Sequence, residues 1–238
     1  MNTATVVPPC TPMLRLVADT LDIEALSAHM VVQRRRVRAG KHVYRSGQPF
    51  RALFYVHAGF LRRSVAAADG RELVTGFPVR GELLGVESIG SATYSADVIA
   101  LEDCEVVELA YPAVLQACAA MPVLQAALTQ ALAQELRRDQ YWRLAVATLS
   151  ANQRVAAFLQ EVADSHRALG FSANHFVLRM SRSDIASFLA LKHETVTRAL
   201  SHLAAAGVIT VERREIRIVC TRRLGICANG AELARQAA

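Results

Sequence analysis

The stretch from Met180 to Ile209, MSRSDIASFLALKHETVTRALSHLAAAGVI, constrains the fold of this chain more than any other. Ser181 and Asp184 have the spacing of a capping box, in which two side chains satisfy backbone N–H groups at the start of a helix. An apolar face at helical spacing follows, consisting of Ile185, Phe188 and Leu189. The stretch therefore predicts a short capped helix that ends in a tight turn at Ala190-Leu191, where a glycine is often found.

A second helix is predicted from about Lys192 to Ala206, because Gly207 is a common helix terminator. Its buried stripe is predicted to be Val196, Ala199, Leu200 and Leu203. The opposite face, near the helix N-terminus, carries His193, Glu194, Thr197 and Arg198. In a helix-turn-helix, this end of the second helix presents the side chains that contact base edges. The pattern therefore indicates a DNA-binding motif.

The side chains on this exposed face suit base recognition. Arg198 has a fork of donors that matches O6 and N7 of guanine, Glu194 can accept from N4 of cytosine, and Thr197 offers a hydroxyl or a methyl group. The alternative is a solvated face, in which Glu194 and Arg198 form an i,i+4 ion pair worth about 0.3–0.5 kcal/mol. The capped helix before this face and the hairpin after it favour base reading.

A hairpin is predicted from Ile209 to Cys220, because Ile216 and Ile218 alternate with a polar residue. Its tip carries Arg213 and Arg214, so the hairpin looks like the wing of a winged helix, with two cations near DNA phosphates. The complete set of predicted phosphate contacts is Ser181, Arg182, Ser183, Lys192, Thr195, Arg213 and Arg214.

The positive charge of the chain is concentrated in the same region. The net charge is +6; residues 151–238 hold 12 Lys and Arg against 7 Asp and Glu, whereas residues 1–150 hold 15 against 14. A module that binds phosphates requires such an excess. No apolar run approaches the roughly 20 residues of a membrane helix, and the N-terminus lacks a secretion signal. A cytoplasmic protein without a membrane partner is expected.

The region from Val37 to Leu109 has a different pattern, in which glycines separate short apolar segments. Strands at roughly 8–12-residue spacing with turn signals are typical of an all-β sandwich or barrel. Asp69-Gly70 is a strong hairpin signal, since type I′ turns need positive φ at both central residues. The core strands are predicted to include residues 53–56 and 73–77.

Two groups of motifs carry a resemblance to a known family. SRSDIA at 181–186 followed by HETVTRAL at 193–200, together with the glycine spacing that ends in GELLG at 81–85, resembles the bacterial cyclic-AMP receptor protein / fumarate-nitrate reductase regulator superfamily. The resemblance implies an α+β fold: an N-terminal antiparallel, jelly-roll-like β-roll, a long dimerisation helix and a C-terminal winged helix-turn-helix. The implied domains are a flexible tail (1–20), a β-roll sensor (21–120), the dimerisation helix (121–150) and the DNA-binding domain (151–238).

The same resemblance implies a homodimer that binds double-stranded DNA and RNA polymerase. The half-site would be TTGAT-like in an inverted repeat; Glu194 and Arg198 would read its G·C-containing core, while Thr197 would select it over the TGTGA type. The helix that begins at Pro122 would pair with its symmetry mate. The residues predicted for this helix are Leu124, Leu128, Ala131, Leu132, Leu136 and Asp139. Leu144 and Leu149 continue the stripe, and a helix packed on the β-roll is the alternative. Asp139 would oppose dimerisation if it lay on the seam.

The effector chemistry departs from the two best-known members. Candidate pocket residues are Gly85, Val86, Tyr94 and Ser95. Cyclic-nucleotide binders carry a Glu where this chain has Val86 and an Arg where it has Tyr94, so cyclic AMP is not expected. An iron–sulfur cluster needs about four thiolates, and only Cys10 precedes the β-roll, so a cluster is not expected either.

Other signals stay open at this point. Haem would use His29, His42 or His57, and a redox signal would use Cys104 or Cys118. Five cysteines without a C-x-x-C pair favour neither disulfides nor a zinc site. Control by abundance alone is a further alternative. A cupin-like metalloenzyme is disfavoured because His42 and His57 lack a His-x-His partner, so no catalytic or metal residues are proposed. A nucleotide-binding module without DNA is disfavoured by the residues of the second helix.

Overall fold

The computed structural model describes residues 23–67 and 69–229, so the predicted tail at residues 1–20 lies outside the described residues. The chain forms two compact units, and the boundary between them lies between Arg137 and Arg138, inside one long helix (Pro122–Thr148). None of the described helices is long and apolar enough to cross a membrane.

The first unit is an antiparallel β-roll with flanking helices. The elements are α1 (Ile23–Ser27), β1 (Gln33–Val37), β2 (His42–Tyr44), β3 (Ala52–Ala58), β4 (Leu61–Ala66), β5 (Glu72–Gly76), β6 (Leu83–Leu84), β7 (Asp97–Ala100), β8 (Cys104–Ala110), α2 (Tyr111–Ala120) and the start of α3 (Pro122–Thr148). The strands form two four-stranded sheets with the orders β1-β8-β3-β6 and β2-β7-β4-β5.

Strand β3 shows why this region reads as short continuous apolar runs. Leu53 and Tyr55 pack in a core cluster with residues of α2 and α3, whereas Phe54 and Val56 pack in a second cluster with residues of the other sheet. Since successive side chains of a strand point to opposite faces, a strand buried on both faces needs apolar residues throughout. The strand predicted at 53–56 lies within β3, and the strand predicted at 73–77 matches β5 except at residue 77, which lies outside it. The predicted antiparallel β-roll is confirmed.

The second unit is a winged helix-turn-helix. It contains the end of α3, α4 (Ala151–Ala168), β9 (His175–Val177), α5 (Arg182–Phe188), α6 (His193–Ala205), β10 (Ile209–Glu212), β11 (Glu215–Ile218) and α7 (Thr221–Ala228). The three strands form an antiparallel sheet in the order β10-β11-β9. Strand β9 was not predicted. The stretch after Cys220 is helical from Thr221 to Ala228 and forms α7. This helix packs on α4, and its residues Leu224 and Ala228 are buried.

Candidate nucleic-acid interface

Helix α5 begins with the predicted capping box. The Ser181 hydroxyl accepts a hydrogen bond from the Asp184 backbone N–H at 3.0 Å, and the Asp184 carboxylate accepts from the Ser181 backbone N–H at 2.8 Å. The hydroxyl of Ser181 also donates to that carboxylate at 2.6 Å. The side chain of Ser181 is therefore engaged in holding the helix start, whereas Ser183 is exposed beside it.

The turn between α5 and α6 contains an alanine in a conformation that glycine usually adopts. Ala190 has φ = 52°. Arg154 of α4 supports this turn, because its guanidinium donates to the carbonyl oxygens of Leu189 at 2.9 Å and Ala190 at 3.4 Å. Sequence reasoning missed Arg154, since nothing local relates it to a turn 35 residues away.

We expect Ala190→Gly to stabilise the protein. A left-handed backbone costs an L-residue about 1–2 kcal/mol, part of which the greater chain entropy of glycine offsets, so a net gain of about 0.5–1 kcal/mol is expected. Urea unfolding would measure the change. The control is Ala133→Gly in the interior of helix α3, where a loss of about 1 kcal/mol is expected. Losses from both changes would show that Ala190 is not strained.

The N-terminal half of α6 presents an exposed polar face. His193, Glu194, Thr197 and Arg198 are all exposed, while Val196, Ala199, Leu200 and Leu203 are buried as predicted. Glu194 lies 3.6 Å from His193, and the described residues contain no ion pair between Glu194 and Arg198. The Thr197 hydroxyl donates to the His193 carbonyl oxygen at 3.1 Å, so its methyl group remains for base contact. Glu194 and Arg198 are therefore not paired with each other, and both side chains face solvent.

The electrostatics of this helix start favour ionised Glu194. Its own backbone N–H lowers the pKa of the Glu194 carboxyl, and the neighbouring His193 and Arg198 add to this effect. A carboxylate in the first turn also interacts favourably with the helix dipole. Glu194 is therefore an acceptor at neutral pH, as contact with cytosine N4 requires.

The wing is a two-residue turn with both arginines at its tip. Arg213 and Arg214 are exposed between β10 and β11, and Arg213 has φ = 56°. Arg182 of α5 donates to the Arg213 carbonyl oxygen at 3.1 Å and so connects the helix-turn-helix to the wing. Burial, with a smaller effect of Arg214, lowers the pKa of Arg182.

The predicted phosphate contacts thus have different surroundings. Ser183, Lys192, Arg213 and Arg214 are exposed, whereas Ser181, Arg182 and Thr195 are half-buried. Arg182 retains a nitrogen, Nη1, that has no hydrogen-bond partner in the described structure. The hydrogen bond from Arg182 to the wing was not predicted, since it depends on the tertiary placement of the hairpin.

Helix α6 is also fastened at its C-terminal end. Arg223 of α7 donates to the Ala206 carbonyl oxygen at 2.8 Å, and Gly207 follows with φ = 65°.

The end of α3 contacts the helix-turn-helix through an aromatic side chain. Trp142 of α3 packs edge-on against Phe188 of α5 at 4.8 Å between ring centroids. The Trp142 indole N–H donates to Glu161 at 2.9 Å, and Glu161 also pairs with Arg138. The last turns of α3 are therefore anchored to the helix-turn-helix.

The residues predicted for the dimer seam do not share one surface. Leu124, Leu128 and Ala131 are buried in the core of the β-roll unit, whereas Leu132 and Leu136 are 40% and 60% exposed. The expectation of a single stripe was wrong, because each i,i+4 step advances a side chain by about 40° beyond a full turn. Leu144 is exposed and Leu149 is buried. Asp139 is half-exposed and pairs with Arg143 at 3.5 Å.

The predicted effector-pocket residues mostly fill space within the chain. Val86 is 3% exposed and belongs to the core cluster that contains α2 and α3. Tyr94 is buried; its ring stacks on Tyr44 at 4.1 Å, and its hydroxyl donates to the Ala52 carbonyl oxygen at 2.7 Å. Gly85 has φ = 86°, and a Cβ added there would lie 3.3 Å from the Tyr94 ring. Only Ser95 is exposed, with its backbone N–H donating to Ser88.

The two predicted redox cysteines are in poor positions to react. Cys104 is buried, its thiol lies within hydrogen-bonding distance of the carbonyl oxygens of Phe60 and Glu102, and burial raises its pKa to about 11. Cys118 belongs to the helix-facing core, and burial raises its pKa as well. Both environments disfavour the thiolate, which is the reactive form.

We expect both cysteines to resist thiol reagents in the folded protein. At a pKa of about 11, Cys104 holds roughly two orders of magnitude less thiolate at neutral pH than a free cysteine. Labelling with an aromatic disulfide, followed by peptide mass spectrometry, would report each site. In urea both should react quickly; equally fast reaction without urea would restore the redox hypothesis. The half-buried Cys220 and Cys227 serve as internal comparisons.

The three candidate haem ligands lie on separate elements. His29 follows α1 and is exposed, His42 lies on β2, and His57 lies on β3 in the other sheet. Burial, followed by nearby Arg45, lowers the pKa of His42. Among the described residues, no group of three or more His, Cys, Asp and Glu side chains has the arrangement of a metal site.

Comparison with known proteins agrees with this architecture. Residues 34–121 match the family described as "Cyclic nucleotide-binding domain", and residues 153–225 match "Crp-like helix-turn-helix domain". Similar relatives are the transcriptional activator protein anr of Pseudomonas aeruginosa, 31% identical over 94% of this chain and 90% of that protein, and the transcriptional regulatory protein btr of Bordetella pertussis, 32% identical over 83% and 81%.

Solved structures give the same result. FixK2 from Bradyrhizobium japonicum superimposes with a TM-score of 0.74 at 28% identity, covering 82% of this chain and 96% of that one. The regulator CLP of Xanthomonas campestris, described as c-di-GMP responsive, has a TM-score of 0.67 at 25% identity, covering 86% and 100%. The fold and the exposed helix define a DNA-binding transcription regulator. The chain belongs to the CRP/FNR family.

Proposed function

We propose that the chain acts as a homodimer that reads an inverted repeat of TTGAT-like half-sites. The observation that carries this proposal is the exposed face of α6, where Glu194, Thr197 and Arg198 lie near the helix start. Arg154 holds the turn before this helix and Arg223 holds its C-terminal end. Rigid support matters because base contacts need side chains in fixed positions. Arg198 would read guanine, Glu194 would read cytosine, and His193 would contact a flanking position.

The dimer proposal is supported by the apolar surface of α3. Leu132 and Leu136 are exposed at i,i+4 spacing, which is the pattern of a helix that pairs with a second copy. Two-fold symmetry would also match an inverted repeat, whose half-sites lie about one helical turn apart. DNA binding would take place in the cytoplasm, with RNA polymerase as the further partner.

We propose that neither a cyclic nucleotide nor the thiols of Cys104 and Cys118 supply the signal. Val86 and Tyr94 occupy the positions where cyclic-nucleotide binders in the family carry a Glu and an Arg, and both are buried. A buried phosphate without a cationic partner is costly. The proposed signals for DNA binding are therefore haem or the abundance of the protein itself. A metalloenzyme is not proposed, because the relatives are transcription regulators.

Removal of a wing arginine should weaken binding without changing sequence preference. We expect Arg213→Ala or Arg214→Ala to reduce affinity for all duplexes and to lower the slope of log affinity against log salt by about 1, because each removes one phosphate contact. Titrations at several salt concentrations would measure this slope. A loss confined to one base pair would instead assign the arginine to base reading.

Selection of binding sites from a random duplex library tests the proposed function directly. The expected product is an inverted repeat of TTGAT separated by four base pairs, since the two copies of α6 would read equivalent half-sites. Recovery of TGTGA half-sites would overturn the role given to Thr197. Recovery of a single unrepeated motif would overturn the dimer, and recovery of no motif would overturn sequence-specific binding.

A further inference from the structure

Arg63 is a buried cation inside the β-roll that sequence reasoning did not single out. It lies on β4 and is 5% exposed. The register between β4 and β5 shifts between Arg63 and Ser64, and such a bulge re-aims a side chain. A buried guanidinium is costly unless anionic groups and hydrogen bonds surround it. The partners of Arg63 therefore decide what this residue does.

Those partners come from three separate segments. The Nε–H group of Arg63 donates to the Thr75 hydroxyl of β5 at 3.1 Å. One terminal nitrogen forms an ion pair with Glu135 of helix α3, and the other lies 3.9 Å from Glu87, in the turn that follows Gly85. Glu87 also accepts a hydrogen bond from the Tyr44 hydroxyl at 3.0 Å. Burial raises the pKa of Tyr44 well above its usual value, so Tyr44 stays neutral and acts as a donor.

This network does not fit a cyclic nucleotide. Arg63, Glu87 and Glu135 together carry one net negative charge when ionised, which repels a phosphate rather than attracting it. The aromatic side of the same interior is filled by the stack of Tyr44, Tyr94 and Phe54. The match to the cyclic nucleotide-binding family therefore reflects the fold of this domain, because the cation inside it is already paired with two carboxylates of the same chain. Of the atoms in this network, Glu87 Oε2 is buried and has no hydrogen-bond partner among the described residues.

We propose that Arg63 is a tether that takes the place of a ligand, holding the turn after Gly85 and helix α3 together through Glu87 and Glu135. Helix α3 also carries the exposed leucines of the proposed dimer surface, so the tether would set their position and through it DNA affinity. This last step rests on the proposed function. The core contacts of Leu124, Leu128 and Ala131 fix the same helix about three, two and one turns earlier. The ion pair with Arg63 fixes it at residue 135.

Substitutions at both ends of the ion pair test the tether. Arg63→Met and Glu135→Gln should each increase hydrogen–deuterium exchange in the peptide covering residues 122–137 and weaken specific DNA binding at least tenfold. The double change should weaken it less than the product of the two single effects, because the second change removes a charge that the first left unpaired. Cyclic AMP at millimolar concentration should leave the melting temperature of the wild-type protein unchanged.

A neighbouring pair supplies the control. Arg62 lies next to Arg63 on β4 and pairs with Glu72 at 2.7 Å, on the more exposed side of the sheet. In Arg62→Met, hydrogen–deuterium exchange in residues 122–137 and DNA affinity should both stay within about twofold of the wild-type values, as expected for loss of a surface ion pair. Unchanged exchange at 122–137 in Arg63→Met, or stabilisation of the wild type by cyclic AMP, would overturn the tether. Increased exchange with unchanged specific binding would overturn its link to DNA affinity, and a wild type that binds no specific DNA would overturn the proposed function alone.

Discussion

Arg198→Ala is expected to lower the affinity for the specific site by roughly 5- to 150-fold, which corresponds to about 1–3 kcal/mol for one bidentate arginine–guanine contact. The guanidinium is exposed near the start of α6 and is not engaged with Glu194. Its loss should also relax discrimination at one base pair, because no other donor fork is available on that helix face. Dissociation constants on duplexes with each base pair of one half-site replaced in turn would reveal that position.

A matched charge change separates base reading from general attraction. Arg38→Ala removes an exposed arginine that belongs to neither the helix-turn-helix nor the wing. Its effect should be small and equal for all duplexes, because salt screens the charge of a single exposed side chain. If Arg198→Ala also weakened every duplex to the same extent, Arg198 would be a phosphate contact and the assignment of base reading to it would be wrong.

The second large effect is expected at the proposed dimer surface, the exposed leucines of α3. Leu136→Glu should raise the dimer dissociation constant at least roughly 100-fold, because a two-fold interface contains each change twice and each buried leucine contributes about 1.5–3 kcal/mol. Binding to the inverted repeat should fall in parallel, while binding to a single half-site should not. Sedimentation velocity and DNA titration of the same samples would measure both quantities.

The control for this change is another exposed leucine. Leu73 on β5 is 49% exposed, so Leu73→Glu introduces the same carboxylate at a surface with no role in the proposed dimer. Both variants should keep the wild-type melting behaviour of the monomer, since neither side chain is in a core. A Leu136→Glu protein that remained dimeric at micromolar concentration would place the interface elsewhere.

The helix-turn-helix was predictable because its signals are local. The capping box at Ser181 and Asp184, the apolar stripe of α6 and the terminator Gly207 act within a few residues of one another, so the sequence alone predicts the two helices. The wing was predictable for the same reason, from alternation and turn position. The exposed polar face of α6 follows once the buried stripe is known.

Other features depend on contacts between distant segments. The division of α3 into a buried face at Leu124 and Leu128 and an exposed face at Leu132 and Leu136 needs the position of the sheet on which it packs. Arg154 and Arg63 act on backbone and carboxylates far away in the sequence. An arginine in a strand reads as a surface residue until its partners from two other segments are in place.

Fluorescence anisotropy would measure whether the isolated chain binds DNA in a sequence-specific way. The protein would be titrated onto labelled TTGAT-NNNN-ATCAA and onto a scrambled duplex at a low and a high salt concentration, because non-specific phosphate binding falls steeply with salt. We predict that binding to the inverted repeat survives the higher salt while binding to the scrambled duplex is lost. Equal and equally salt-sensitive binding to both duplexes would show that the isolated chain does not recognise this sequence.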